Sequence, residues 1–188
     1  MHSNLLALAF TVVGALAVDP TNITAEQAIS ILEDIVDSLQ AAGDLRVKLQ
    51  QATPNLNEQN AAPVYQSLAD SFAKTQSLFP NNNGDVNIGT TTAEQSAAVC
   101  ALVPKLLAAG THASDALASQ PDFQDSNGSA RTAALSLGGI LENVGWNLNM
   151  FHWGFITAGI AATCDQGTQN DFYTVPNQLM DAGTAIFY

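Results

Sequence analysis

Positive charge is what this sequence has least of. Its 5 lysines and arginines stand against 17 aspartates and glutamates, a formal net charge of −12 over 188 residues. Nucleic acid and anionic lipid headgroups are held by basic patches, so this balance argues against both as partners. Catalytic and cofactor signatures are missing too: there is no DxDxDG, HExxH, GxSxG or CxxC pattern and no Gly-rich phosphate loop. The expectation is a chain that needs no cofactor or metal, with an enzyme as the weaker function class. Sustained alternation of apolar and polar residues, the mark of a half-buried strand, is also absent. The expected fold class is all-α.

Cysteine is limited to Cys100 and Cys164. Neither has a His or acidic residue at ligand spacing, which disfavours a metal site. In a secreted chain a disulfide between them is the default, and the loop-entropy relation assigns such a crosslink about 4 kcal/mol. The secreted setting is read from residues 4–17, NLLALAFTVVGALA, an apolar run closing on Ala15-Leu16-Ala17, the small-x-small pattern that signal peptidase cuts. That run is too short for a retained membrane anchor. Residues 1–17 are expected as a signal peptide and 18–188 as a single secreted helical domain, long enough to bury a core of its own. The sequons Asn22-Ile23-Thr24 and Asn127-Gly128-Ser129 offer two glycosylation sites beside helix starts. The chain closes on Phe187-Tyr188 without a Ser/Thr-rich stalk or GPI signal, so no covalent wall anchor is expected.

Five helices are expected. Thr24-Ala25-Glu26-Gln27 reads as a capping box opening a long amphipathic helix through Ile29, Leu32, Val36 and Leu39, with Gly43 as a bend and Thr53-Pro54 as its end. A second helix starts near Pro63 and runs through Val64, Leu68 and Phe72 to Phe79. The Asn-rich loop after Pro80 is expected to be exposed. Thr92-Ala93-Glu94-Gln95 repeats the first box letter for letter, and each box precedes a helix carrying Ala-Ala-Gly. A duplicated hairpin would explain this, but so would chance in an alanine-rich chain, since the residues between do not align. The third helix contains Pro104 as a kink and stops at Gln120-Pro121. The fourth begins near Ser129. A last short helix, with Leu179, Met180, Ile186 and Phe187, follows Pro176.

Residues 135–163, LSLGGILENVGWNLNMFHWGFITAGIAAT, hold both tryptophans of the chain. At helical spacing Leu137, Val144, Leu148, Phe151 and Phe155 share one seam, while Trp146, Met150 and Trp153 form a second stripe nearly opposite. Glu142, Asn143, Asn147, Asn149 and His152 interrupt the segment too often for a membrane span. A helix apolar on two sides is either central, or leaves large aromatics beside a cavity or in solvent. Core packing and ligand binding are about equally good readings of the stripe. Gly138 and Gly139 suit the close approach of another helix or a bend.

His152, between Phe151 and Trp153, and His112 are the candidates for acid-base chemistry. Neither has an assignable nucleophile or orienting partner, so a structural histidine is the stronger reading. Glu33, Asp34 and Asp37 read as a solvated acidic face.

With its leader, acidic mature chain and first helix Ile31-Leu32-Glu33-Asp34-Ile35-Val36-Asp37-Ser38-Leu39, the sequence resembles the fungal hydrophobic surface-binding protein family, which includes cell-wall galactomannoproteins. The resemblance is one of plan over most of the mature chain. It implies small helical bundles, secreted or cell-wall associated, that adsorb to hydrophobic surfaces or hold fatty acids between helices, and a secreted hydrolase as partner. From the residues themselves, Trp146, Met150, Phe151, Trp153 and Phe155 are expected to wall an apolar site, with Leu179, Met180 and Phe187 on a helix that gates it. The alternatives are a secreted effector or inhibitor scaffold with an exposed patch, and, behind it, an enzyme using His152 or His112.

Overall fold

The computed structural model describes residues 20–81, 84–115, 117 and 128–187. The expected leader, Asn127 of the second sequon and the expected helix stop at Gln120-Pro121 lie outside these residues. Within them the chain runs β1 (Thr21–Ile23), α1 (Ala25–Ala52), α2 (Ala61–Gln76), β2 (Val86–Ile88), α3 (Ala93–Ser114), α4 (Ser129–Thr157) and α5 (Gln166–Phe187), with a 3-10 turn at Ala161–Thr163 before α5. The fold is the expected all-α bundle of five helices, crosslinked by a Cys100–Cys164 disulfide with its Cα atoms 5.4 Å apart. That bond ties α3 to the turn between α4 and α5.

Two strands were not expected. They are three residues each, too short for a period of two to register, and they pair in parallel as Thr21–Val86, Asn22–Asn87 and Ile23–Ile88. The Asn81 amide secures the end of the ladder by donating to the Asp85 carbonyl at 2.6 Å and to Thr21 Oγ1 at 3.1 Å. The loop expected to be exposed is therefore partly built into the fold, and Val86 is buried.

Each strand leads into a capped helix. The Thr24 amide donates to Gln27 Oε1 at 2.8 Å and the Gln27 amide to Thr24 Oγ1 at 3.2 Å. Thr92 and Gln95 repeat both bonds at the same lengths, and the Gln95 side-chain Nε2 donates to Glu26 Oε1, joining the two caps. The correspondence extends into the core, against the chance reading of the repeated box. Buried Leu32, Ile35, Leu39, Ala42 and Gly43 of α1 are matched at one constant spacing by buried Val99, Leu102, Leu106, Ala109 and Gly110 of α3. All seven buried residues of α2, Ala61, Val64, Tyr65, Leu68, Ala69, Phe72 and Thr75, are matched by Ala130, Ala133, Ala134, Leu137, Gly138, Leu141 and Val144 of α4. The first four helices are thus one β-α-α unit used twice, with α3 one residue shorter between its cap and its Ala-Ala-Gly.

Gly43, expected as a bend, lies within unbroken α1 and admits the ring of His112, which a Cβ there would strike. α3 is long and apolar enough to cross a membrane by length and composition. In the fold Val99, Leu102, Val103 and Leu106 are buried, and α3 packs against α1 and α5.

The second departure concerns α5. A short final helix was expected, but α5 takes in the polar segment after Cys164 and passes through Pro176 without ending. Its start is fixed by Asp165, whose carboxylate accepts from the Thr168 amide at 3.0 Å and from Thr168 Oγ1 at 2.8 Å. These bonds hold the Asp165 carboxyl below the usual aspartate range. Downstream, Phe172, Val175 and Leu179 are buried. α5 packs on α3 and α4, with Leu179 in the core and Met180 half-buried, while the side chain of Phe187 lies outside the described residues.

α4 is the central helix, with α2 on one side and α5 on the other. Leu137, Leu141, Val144, Leu148, Phe151 and Phe155 have no exposed surface, so the expected seam is the core. An edge-to-face chain of rings runs from Phe79 to Phe151 at 6.0 Å and from Phe151 to Phe155 at 5.1 Å, and a tilted contact at 5.6 Å continues to Phe172. α5 approaches α4 across glycines. A Cβ on Gly145 would sit 2.7 Å from the Pro176 carbonyl, and one on Gly183 would sit 2.7 Å from the Gly138 carbonyl. Gly138 therefore marks a close approach, whereas Gly139 borders open space.

Candidate functional site

The expected apolar wall divides in two. Phe151, Phe155 and Leu179 are core residues with no exposed surface. Trp146 and Trp153 are 53 % and 48 % exposed, and Met150 and Met180 are half-buried. The seven residues therefore do not line one interior chamber. The physical reason is the angular gap between the stripes: once α2 and α5 have covered the Leu–Phe seam, the indole stripe points outward.

Trp146 and Trp153 are two helical turns apart, about 11 Å along the axis, with Met150 between them. Tyr173 on α5, 40 % exposed, completes the set of exposed large apolar side chains among the described residues. On α5 the positions Tyr173, Asn177, Met180 and Thr184 recur at i, i+4, i+7 and i+11, a stripe parallel to that of α4. The two helices run antiparallel, so the stripes pair end to end. Thr184 Oγ1 donates to Glu142 Oε1 at 3.1 Å at one end, and the Tyr173 ring packs edge-on to His152, next to Trp153, at the other. Between them Glu142, Asn143, Trp146, Met180 and Thr184 line an open groove of about 330 Å³. No lysine or arginine follows Arg131, while Glu142, Asp165, Asp171 and Asp181 do. The α4–α5 stripe is apolar at its centre, with the Glu142 carboxylate lining the groove at one end.

Sequence reading missed Tyr173, Asn177 and Thr184 as members of this surface. The signal was their helical spacing, hidden by treating Pro176 as a helix boundary.

His152 is 1 % exposed, and neither ring nitrogen has a hydrogen-bond partner among the described residues. Its ring stacks on Phe172 at 4.2 Å with planes 8° apart. Burial pushes its pKa down to about 4, which keeps the imidazole neutral at ordinary pH. A structural histidine was the expected reading; the ring is held by packing against Phe172 and Tyr173, which leaves both nitrogens without a hydrogen bond among the described residues. Asn147, also 1 % exposed, likewise has an unpartnered Nδ2 among the described residues.

His112 does have a partner. Its Nε2 lies 2.9 Å from Asp44 Oδ1 across the α1–α3 interface, and this contact holds the Asp44 carboxyl below its usual range. The pair sits on partly exposed surface and closes α3 onto Gly43. His112 and His152 belong to different helices and different contacts, so they do not form one constellation. Among the described residues no group of three or more His, Cys, Asp and Glu could hold a metal ion. Asn22 of the first sequon is exposed on β1, where its Oδ1 accepts from Asn87 Nδ2 at 3.3 Å.

No protein-family model matches the chain, and no curated protein matches it at a significant level.

Proposed function

We propose that this is a secreted, non-catalytic protein that adsorbs to neutral apolar surfaces or apolar ligands through the α4–α5 platform. The observation that carries the reading is the half-exposure of Trp146 and Trp153 on one stripe. Half-exposed indoles leave roughly 100 Å² of apolar surface each in water, so covering the pair is worth about 5 kcal/mol before association costs. Large apolar side chains held in solvent on a rigid scaffold are characteristic of interaction surfaces. The scaffold here is rigid because the opposite seam of α4 is fully packed. The net negative charge of the chain opposes adsorption to anionic lipid, which favours uncharged apolar surfaces such as waxes, neutral lipids or alkyl chains over anionic ones. Secretion, modification at Asn22 and association with a cell wall complete the proposal, in line with the sequence resemblance and the disulfide. An exposed patch also suits a protein partner such as a secreted hydrolase, which is the second reading.

The test is adsorption to octadecyl-coated silica, measured with a quartz microbalance against hydroxylated silica. The wild-type protein is expected to coat the alkyl surface and Trp146→Ala/Trp153→Ala to lose most of that binding with an unchanged circular dichroism spectrum. Equal adsorption by both proteins would overturn the proposal. No adsorption by either, together with recovery of a secreted protein on immobilised wild-type chain, would favour the partner reading.

A further inference from the structure

We infer that the groove at the Glu142–Thr184 end of the platform is a head-group site for an organic cation, so that the preferred ligand is a cationic amphiphile carrying an alkylammonium group. This deepens the apolar-binding proposal and rests on it. The groove combines three features that suit an ammonium head. Its floor is the half-exposed Trp146 with Met180 beside it, and an indole face attracts a cation through its quadrupole. Its polar end is the Glu142 carboxylate, which accepts from Thr184 Oγ1 through one oxygen and keeps further lone pairs for a ligand. The groove lining carries one charge and it is negative: Glu142 is its only ionised residue, no Lys or Arg follows Arg131 in α4 or occurs in α5, and burial keeps His152 neutral. An anionic head would meet only repulsion there, and a neutral head would leave the carboxylate without a counter-charge.

The chain of such a ligand has a defined path. Glu142, Trp146, Met150 and Trp153 share one face of α4. An ammonium seated at Glu142 therefore directs its alkyl tail along Met150 to Trp153, with Met180 and Tyr173 bordering the track from α5.

The test compares decyltrimethylammonium with the uncharged decyl maltoside, both below their critical micelle concentrations, by calorimetry on the full disulfide-bonded chain. Wild-type protein is expected to bind the cation about tenfold more tightly than the glycoside. Glu142→Gln should remove that preference while leaving glycoside affinity unchanged. Asp37→Asn, which deletes an equally negative residue exposed on α1, should keep the preference and so separate a local site from bulk charge. Equal affinity of wild-type for both probes, or a preference surviving in Glu142→Gln, overturns the inference and leaves the apolar-surface proposal standing. Failure of both probes to bind overturns both.

Discussion

The two β-α-α units differ chiefly in the length of their second helix. α2 and α4 share every buried position up to Thr75 and Val144, and then α2 ends at Gln76 while α4 continues to Thr157. The continuation carries Trp146, Met150, Phe151, His152, Trp153 and Phe155. Both exposed tryptophans and Met150 lie in the part of the second unit for which the first has no counterpart, while Glu142 stands just before it and Tyr173, Met180 and Thr184 come from α5. The shared positions build a scaffold. The extension, together with α5, which falls outside the repeat, builds the surface.

That contrast can be broken in order of size. The extension is itself anchored by aromatic packing, so Phe151→Ala, which removes a fully buried ring from the Phe79–Phe155 chain, is expected to cost about 4 kcal/mol in urea unfolding. A loss under 1 kcal/mol would mean that the extension is not part of the cooperative core. Cys100→Ser/Cys164→Ser should lower stability by about 4 kcal/mol, because the crosslink closes a loop that runs from α3 through all of α4 to the turn before α5.

His152 supplies a pH-dependent difference. Its folded pKa of about 4 lies below the ordinary 6.5, so as pH falls the unfolded chain takes up a proton that the buried ring refuses. Its contribution to stability is complete above about pH 6.5, is lost as pH falls toward 4, and changes no further below. The total is up to about 3 kcal/mol. Comparing wild-type with His152→Leu in urea at pH 7 and pH 4 isolates this term, and a pH-independent difference between them would contradict the buried neutral ring. The smallest effect tests the repeat: Thr24→Ala and Thr92→Ala should each cost about 1 kcal/mol, since the two caps make the same bonds. A large inequality would show that the two starts are not equivalent.

Much of the scaffold was legible in the sequence, because its cues are local. Both capping boxes, the all-α class, the disulfide and the Leu137–Phe155 seam rest on short-range spacing and side-chain chemistry. The parallel ladder was hidden because each strand is three residues long and its partner lies on the far side of two helices. The repeat was hidden because it is conserved in burial and scarcely in residue identity, with Tyr65 answered by Ala134 and Thr75 by Val144. The platform was half legible. Its α4 stripe followed from periodicity, but whether Trp146 and Trp153 would face a cavity or water depended on where α5 docks, and that turns on Gly145 and Gly183, whose partners are set by tertiary contact. The α5 stripe was obscured by Pro176, which the helix tolerates internally.

The central claim is that binding is made by the extension. Both tryptophans of the chain lie on its outward stripe, so tryptophan emission reports on that surface alone. The decisive measurement is acrylamide quenching of that emission with and without neutral alkyl-coated particles. Free protein should quench readily, and adsorbed protein should show blue-shifted emission protected from the quencher. Adsorption that leaves the tryptophans as quenchable as before would place the binding surface elsewhere and contradict the account.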